Sequence, residues 1–224
     1  MKKNNIEILK VLIGSRAYGL ANEKSDYDYH AVYILPTSEI LSLNYRYKGN
    51  DWIEGIEDNV SYEIGHFLKL AIKCNPTILE VFKAPIIEVN EDGLKLRTLF
   101  PYIWSPQQAF DAFVGYGLNQ RKKFLDKKDN RQNKYAVAYI RVLLQLNQLL
   151  SKNDFNIEIP EKCKNTLLDY KNGKYSFGDV IDMAEMLTAT AKEFLKTCKN
   201  EPNLNKINEF LIEIRKKYWE KKNV

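Results

Sequence analysis

Two aspartates, Asp26 and Asp28, stand two apart at the head of an apolar run, and Gly14-Ser15 closes an earlier apolar run. These residue types at this spacing have chemistry in them. On a strand, residues two apart point to the same face, so the two carboxylates would project together at roughly 6–7 Å. At an effective dielectric of about 20 they repel by on the order of 2 kcal/mol. A fold that keeps both ionised needs a cation between them, and a hard divalent ion such as Mg2+ takes oxygen ligands of this kind. Glycine at position 14 lets backbone approach a ligand closely. Ser15 is expected to cap a helix start, whose free N–H groups suit a phosphate. A phosphate-binding turn beside a metal-binding carboxylate pair fits reactions of nucleoside triphosphates, where metal bridges phosphate oxygens.

The string Gly14-Ser15-Arg16-Ala17-Tyr18-Gly19-Leu20 followed by Ser25-Asp26-Tyr27-Asp28 resembles the signature of the DNA polymerase β-type nucleotidyltransferase superfamily. In that superfamily a Gly-Ser turn precedes two acidic residues separated by one apolar residue. The longer string is similar in particular to nucleotidyltransferases of the YcgL/RlaP type, found in bacteria and large phages. The likeness extends through Asn75-Pro76-Thr77-Ile78-Leu79-Glu80 and into the C-terminal half.

The resemblance implies a metal-dependent enzyme that transfers a nucleoside monophosphate from an NTP to a hydroxyl and releases pyrophosphate. It implies Asp26 and Asp28 as ligands of two Mg2+ ions, with Mn2+ as a substitute, and Gly14, Ser15 and Arg16 at the triphosphate. It also implies a third acidic residue on a later strand, near the attacking hydroxyl. Glu63 is the first candidate for that role and Asp58 the competitor. A second reading of Glu63 is a helix N-terminal residue favoured by the dipole. The alternative for the whole chain is a nucleotide-binding or antitoxin-like regulatory module of the same fold without turnover, which a missing third carboxylate would favour. The acceptor stays open: an RNA end, a protein hydroxyl or a small molecule. ATP and the other triphosphates are equally open.

The elements that must position these groups follow from pattern. Residues 6–13 and 26–35 read as strands, rich in β-branched and aromatic residues. Residues 59–64 form a third strand, and 85–89 a short edge strand. Helices are expected at 65–74, 77–83 and 92–100, with Pro76 at a first helical position. Glu80 falls within the apolar face of its helix and needs a partner if buried. From Pro106 onward the pattern is helical: 106–125, 132–150, 160–170, 176–198 and 202–219. Ser176 and Asp179 mark an N-terminus. Lys134 and Arg141, seven apart on one side of a helix, are expected to face the carboxylates and hold triphosphate or base. Tyr116, Gln120 and Lys123 form a weaker polar stripe, and His30 lies in phase with the aspartates. The resulting fold class is α+β: a small mixed nucleotidyltransferase sheet flanked by helices (residues 1–102), then a C-terminal helical bundle (residues 103–224).

Bulk properties agree with a soluble enzyme. The 224 residues contain no apolar run of the length a membrane helix needs. Lysines and Glu7 interrupt the N-terminal apolar segment, which argues against a signal peptide. Cys74, Cys163 and Cys198 are odd in number and widely spaced, so they suggest neither a disulfide framework nor a zinc motif, and a cytoplasmic setting is expected. The net charge of +5 tolerates polyanionic ligands without demanding them.

Overall fold

The computed structural model describes residues 5–45, 51–52, 59–126 and 129–219. Its strands are β1 (Ile6–Ile13), β2 (Asp28–Ile34), β3 (Asp51–Trp52), β4 (Val60–Glu63) and β5 (Ile86–Val89). Its helices are α1 (Gly14–Ala17), α2 (Thr37–Ile40), α3 (Ile64–Ala71), α4 (Pro76–Lys83), α5 (Glu91–Arg97), α6 (Pro106–Asp126), α7 (Gln132–Lys152), α8 (Glu161–Lys171), α9 (Phe177–Thr197) and α10 (Leu204–Lys217). The chain is α+β, as its patterns predict.

The strands form one mixed sheet in the order β3-β4-β2-β1-β5. β1 lies antiparallel to β2 and β5, β2 runs parallel to β4, and β3 is antiparallel to β4. The register of the first pair matters most. Ile6 faces Ile34 and Ile13 faces Asp28, so the pairing brings the start of β2 to the residue just before Gly14. Branched side chains at Val11, Val32 and Ile34 are buried, and each such side chain taken from water contributes about 1.5–3 kcal/mol. That burial fixes the register, because a slip of one residue would turn the apolar set outward.

α3 and α4 pack on the sheet through Phe67, Leu68, Ile78, Leu79 and Phe82, all buried. α3 is capped by Glu63, whose side chain accepts from the Gly65 and His66 N–H groups. Asn75 caps α4, and Pro76 occupies its first turn, where no N–H is needed. The Ser176–Asp179 pair forms a reciprocal capping box at the start of α9.

The apolar core does not stop at residue 102. Phe100 meets Phe155 with ring centroids 5.8 Å apart, and Phe82, Phe100, Trp104, Phe113 and Leu146 belong to one continuous buried cluster. α10 returns to the sheet half: Thr37 and Ser38 N–H donate to the carbonyls of Tyr218 and Trp219. Sheet and helices therefore frame one cleft. Among the described residues no helix is long and apolar enough to cross a membrane.

Candidate active site

The cleft between the Gly14 turn and α7 holds a pocket of about 580 Å³. One wall carries Gly14, Ser15, Asp26 and Asp28, and the other carries Tyr116, Asn133, Lys134, Ala138 and Arg141. Six of the eight residues expected at the site from sequence line this pocket: Gly14, Ser15, Asp26, Asp28, Lys134 and Arg141, but not Arg16 or Glu63.

Local chemistry explains the acidic wall. Gly14 has φ +72°, a left-handed conformation that glycine adopts freely and other residues rarely do. A Cβ there would run into the Asp28 carboxylate. Absence of that Cβ lets Asp28 lie flat against the turn. α1 then begins at Gly14 itself and makes a single turn, closed by Tyr18 N–H to Gly14 O at 3.1 Å and Leu20 N–H to Ser15 O at 2.9 Å. Ser15 is therefore inside this helix and does not cap it; the N-cap position is Ile13, without a side-chain bond. Strand β2 starts at Asp28 rather than Asp26, and Asp26 sits on the preceding loop, exposed. Both aspartates still line the same pocket.

Arg16 takes a different place from the expected triphosphate contact. Its Nε and Nη2 donate to Ser25 O at 3.1 and 2.7 Å, and its guanidinium stacks on the Tyr27 ring at 3.9 Å. It does not line the pocket. It instead holds the carbonyl just before Asp26 and so fixes the loop that carries that carboxylate.

Glu63 is the main correction. It pairs with Tyr33 across the parallel β2–β4 ladder, five residues beyond Asp28 and about 17 Å along the strand. Its carboxylate is buried, accepts from Gly65 N–H at 2.8 Å and forms an ion pair with Arg215 at 2.6 Å. It is a helix cap and an anchor for α10, away from the aspartates. The helix-cap reading of this residue is the one the geometry supports, because parallel pairing carries the end of β4 away from the start of β2. Asp58 lies outside the described residues. Among the described residues no three His, Cys, Asp or Glu side chains converge as metal ligands; Asp26 and Asp28 are two carboxylates that line the pocket together.

The opposite wall depends on a buried triad. Arg141 pairs with Glu80, donates to Gln145 Oε1 at 3.1 Å and lies over the Tyr18 ring at 4.1 Å. Tyr18 donates its hydroxyl to Glu80 Oε2 at 2.9 Å. Burial pushes the Tyr18 phenol up and the Arg141 guanidinium down from their ordinary values, yet arginine stays protonated. Glu80 thus has the partner its buried position requires, and α7 is locked to the Gly14 turn through it. Arg141 reaches the pocket with its charge already matched; Lys134, seven residues earlier on α7, lines the same pocket and forms no ion pair among the described residues.

Lys171, at the end of α8, also lines the pocket. It donates to Leu20 O at 2.5 Å, and burial pushes its ammonium down. Nothing in the sequence marks it, since its approach depends on the packing of α8 over the turn. Asn133 is fixed by Tyr175, whose hydroxyl donates to its Oδ1 at 2.8 Å. Tyr116 lines the pocket, whereas Gln120 is buried outside it and Lys123 sits 5.6 Å from the Tyr135 ring. His30 is buried against Tyr62, its ring edge-on at 5.5 Å. Burial pushes it down to about 4, so it is a neutral core residue near neutral pH.

A family model described as RlaP, the RNA repair pathway DNA polymerase beta family, matches residues 1–213. The chain belongs to this family. The match spans both the sheet half and the helical half, so the two walls of the cleft lie within one family unit. None of the curated proteins matches the chain.

Proposed function

We propose that the chain is a metal-dependent nucleotidyltransferase that moves a nucleoside monophosphate from an NTP to an acceptor hydroxyl. The observation that carries this reading is the contact between the Asp28 carboxylate and the Cβ-less face of Gly14. It joins a carboxylate able to bind a hard cation to a turn able to receive phosphate, in a cleft with Lys134 and Lys171 opposite. The donor set fits Mg2+, or Mn2+ in its stead: two carboxylates supply hard oxygen ligands, with phosphate oxygens and water completing the shell. The ion when bound would neutralise charge on the transferring phosphoryl group and orient it.

The protein's own residues do the rest. Gly14 and Ser15 offer backbone N–H groups to the phosphates. Lys134 and Lys171 balance the triphosphate charge from the other wall, and Arg141 and Tyr18 hold that wall in register. The acceptor oxygen attacks the α-phosphorus, a new P–O bond forms, and the bond to the β-phosphate oxygen breaks to release pyrophosphate. The hydroxyl proton leaves to solvent at the exposed Asp26 rim. Positioning and fixed charge supply the acceleration. An RNA end is the acceptor best in keeping with the RNA repair family.

The second reading open to the sequence, a nucleotide-binding or antitoxin-like module of the same fold without turnover, predicts nucleotide binding without release of pyrophosphate. Incubation with each labelled NTP, Mg2+ and short RNA separates the two. Pyrophosphate release that Asp28→Ala abolishes is expected of the enzyme; nucleotide binding without release is expected of the module.

A further inference from the structure

The loop that presents Asp26 and Asp28 carries a second arrangement that the nucleotide pocket does not use. Tyr27 is 55% exposed. Its ring lies beside that of Tyr29, with centroids 6.4 Å apart and planes inclined by 18°. The Arg16 guanidinium covers Tyr27 at 3.9 Å, and the Lys10 ammonium stands 5.2 Å from the Tyr29 ring. None of the four lines the pocket. Strand alternation turns Tyr29 to the face opposite Asp28.

Burial does not account for this row. A ring facing water over half its surface gains little from the hydrophobic effect, and an exposed cation–π contact adds only about 0.5–1 kcal/mol. The charges along the row are uneven. Lys10 is paired with Glu88 at 3.2 Å. Arg16 hydrogen-bonds the neutral Ser25 carbonyl, and no ion pair involves it among the described residues. Arg16, at the Tyr27 end, is thus the cation of the row that forms no ion pair among the described residues.

Near-parallel rings, one exposed and one half-buried, flanked by cations are the chemistry that holds unpaired bases, whose faces stack on aromatic side chains while phosphates meet the cations. A duplex has no free base faces to offer. Tyr27 lies between the two aspartates in the chain, on the loop that also carries Asp26 to the rim of the pocket. We infer that Arg16, Tyr27 and Tyr29 form a stacking platform for a single-stranded RNA acceptor, holding the bases just behind the terminal hydroxyl that enters the Asp26–Asp28 site. This rests on the nucleotidyltransferase reading for the hydroxyl's destination, while the platform itself binds without nucleotide.

The test is fluorescence anisotropy of a short 5′-labelled oligoadenylate RNA titrated with the full chain at low salt, without NTP or metal. Wild type is expected to bind it more tightly than a duplex of the same length. Tyr27→Leu combined with Tyr29→Leu is expected to weaken binding roughly five- to hundredfold, the range for losing one stacked base. Tyr27→Leu alone, at an exposed position, weakens it less and melts as wild type does, whereas Tyr27→Phe binds within about twofold of wild type. Equal RNA affinity of wild type and the double variant would overturn the platform, as would a preference for duplex. In parallel, affinity for an NTP analogue with Mn2+ is read on the same proteins. Loss of nucleotide binding in wild type alongside intact, tyrosine-dependent RNA binding would sink the nucleotide reading and spare the platform.

Discussion

At the scale of single residues, the site turns on what Gly14 lacks. A methyl group at that position would meet the Asp28 carboxylate and would also sit at a φ of +72°. Gly14→Ala is therefore expected to lower stability by about 1–2 kcal/mol from backbone strain and to push Asp28 off the turn. Activity should fall by more than the folded fraction does, which parallel thermal melts and transfer assays would reveal. Glu63 makes the opposite prediction. Its carboxylate caps α3 and pairs with Arg215, so Glu63→Ala should cost about 3–5 kcal/mol, the usual range for breaking a buried pair. Denaturant titration measures that loss, and specific activity per folded molecule should stay close to wild type. The Gly-Ser turn and the paired aspartates are legible in sequence because their chemistry is local. Glu63 is misleading for the same reason: its residue type suits a third ligand, but the strand pairing that carries it away from Asp28 is a long-range property.

At the scale of elements, α7 is held to the Gly14 turn by a charge buried between α4 and the loop that leaves β1. Glu80 is 2% exposed and Arg141 6%, so each is stable only because the other is there. Glu80→Ala would leave a guanidinium buried without its carboxylate, at an expected cost of about 3–5 kcal/mol. Glu80→Met with Arg141→Met should recover much of it, since both charges are then gone. A double-mutant cycle by chemical denaturation would read a coupling of several kcal/mol. Periodicity marks α7 well: Lys134, Ala138 and Arg141 recur on one face, and all three line the pocket. What periodicity does not carry is commitment. Nothing in the spacing of Arg141 says that its charge is already matched by Glu80, or that Arg16 reaches back to Ser25 instead of outward to a phosphate. Lys171 was invisible for the complementary reason, as its place depends on how α8 folds over the turn.

At the scale of the whole molecule, the last helix closes the chain onto its beginning. Asp92 is buried, and Lys217 and Tyr218 donate to it at distances of 2.5–2.9 Å. Burial alone would push its carboxyl up, but the hydrogen bonds from Lys217 and Tyr218 outweigh it and hold the group below its ordinary value. A carboxylate with a lowered native value adds stability that is complete above the unfolded value, near 3.8, and fades as pH drops through the native one. Asp92→Asn should therefore destabilise the chain by about 1–3 kcal/mol at neutral pH, and the gap from wild type should narrow below pH about 4. Melting curves at neutral and acid pH measure it. This clamp and the Glu63–Arg215 pair both tie the end of α10 to the first half of the chain. Composition and helix spacing predict the helical bundle, but they carry no information about which helix returns to the sheet.

The central claim is that Asp26 and Asp28 hold a metal-bound triphosphate against the Gly14 turn. Calorimetric titration of a non-hydrolysable NTP into the full chain tests it most directly, run with Mn2+, with EDTA, and with Asp28→Asn. Binding that needs the metal and weakens at least about tenfold in Asp28→Asn, the scale of one charged ligand contact, is the predicted result. Binding of equal strength with EDTA and in the variant would contradict it.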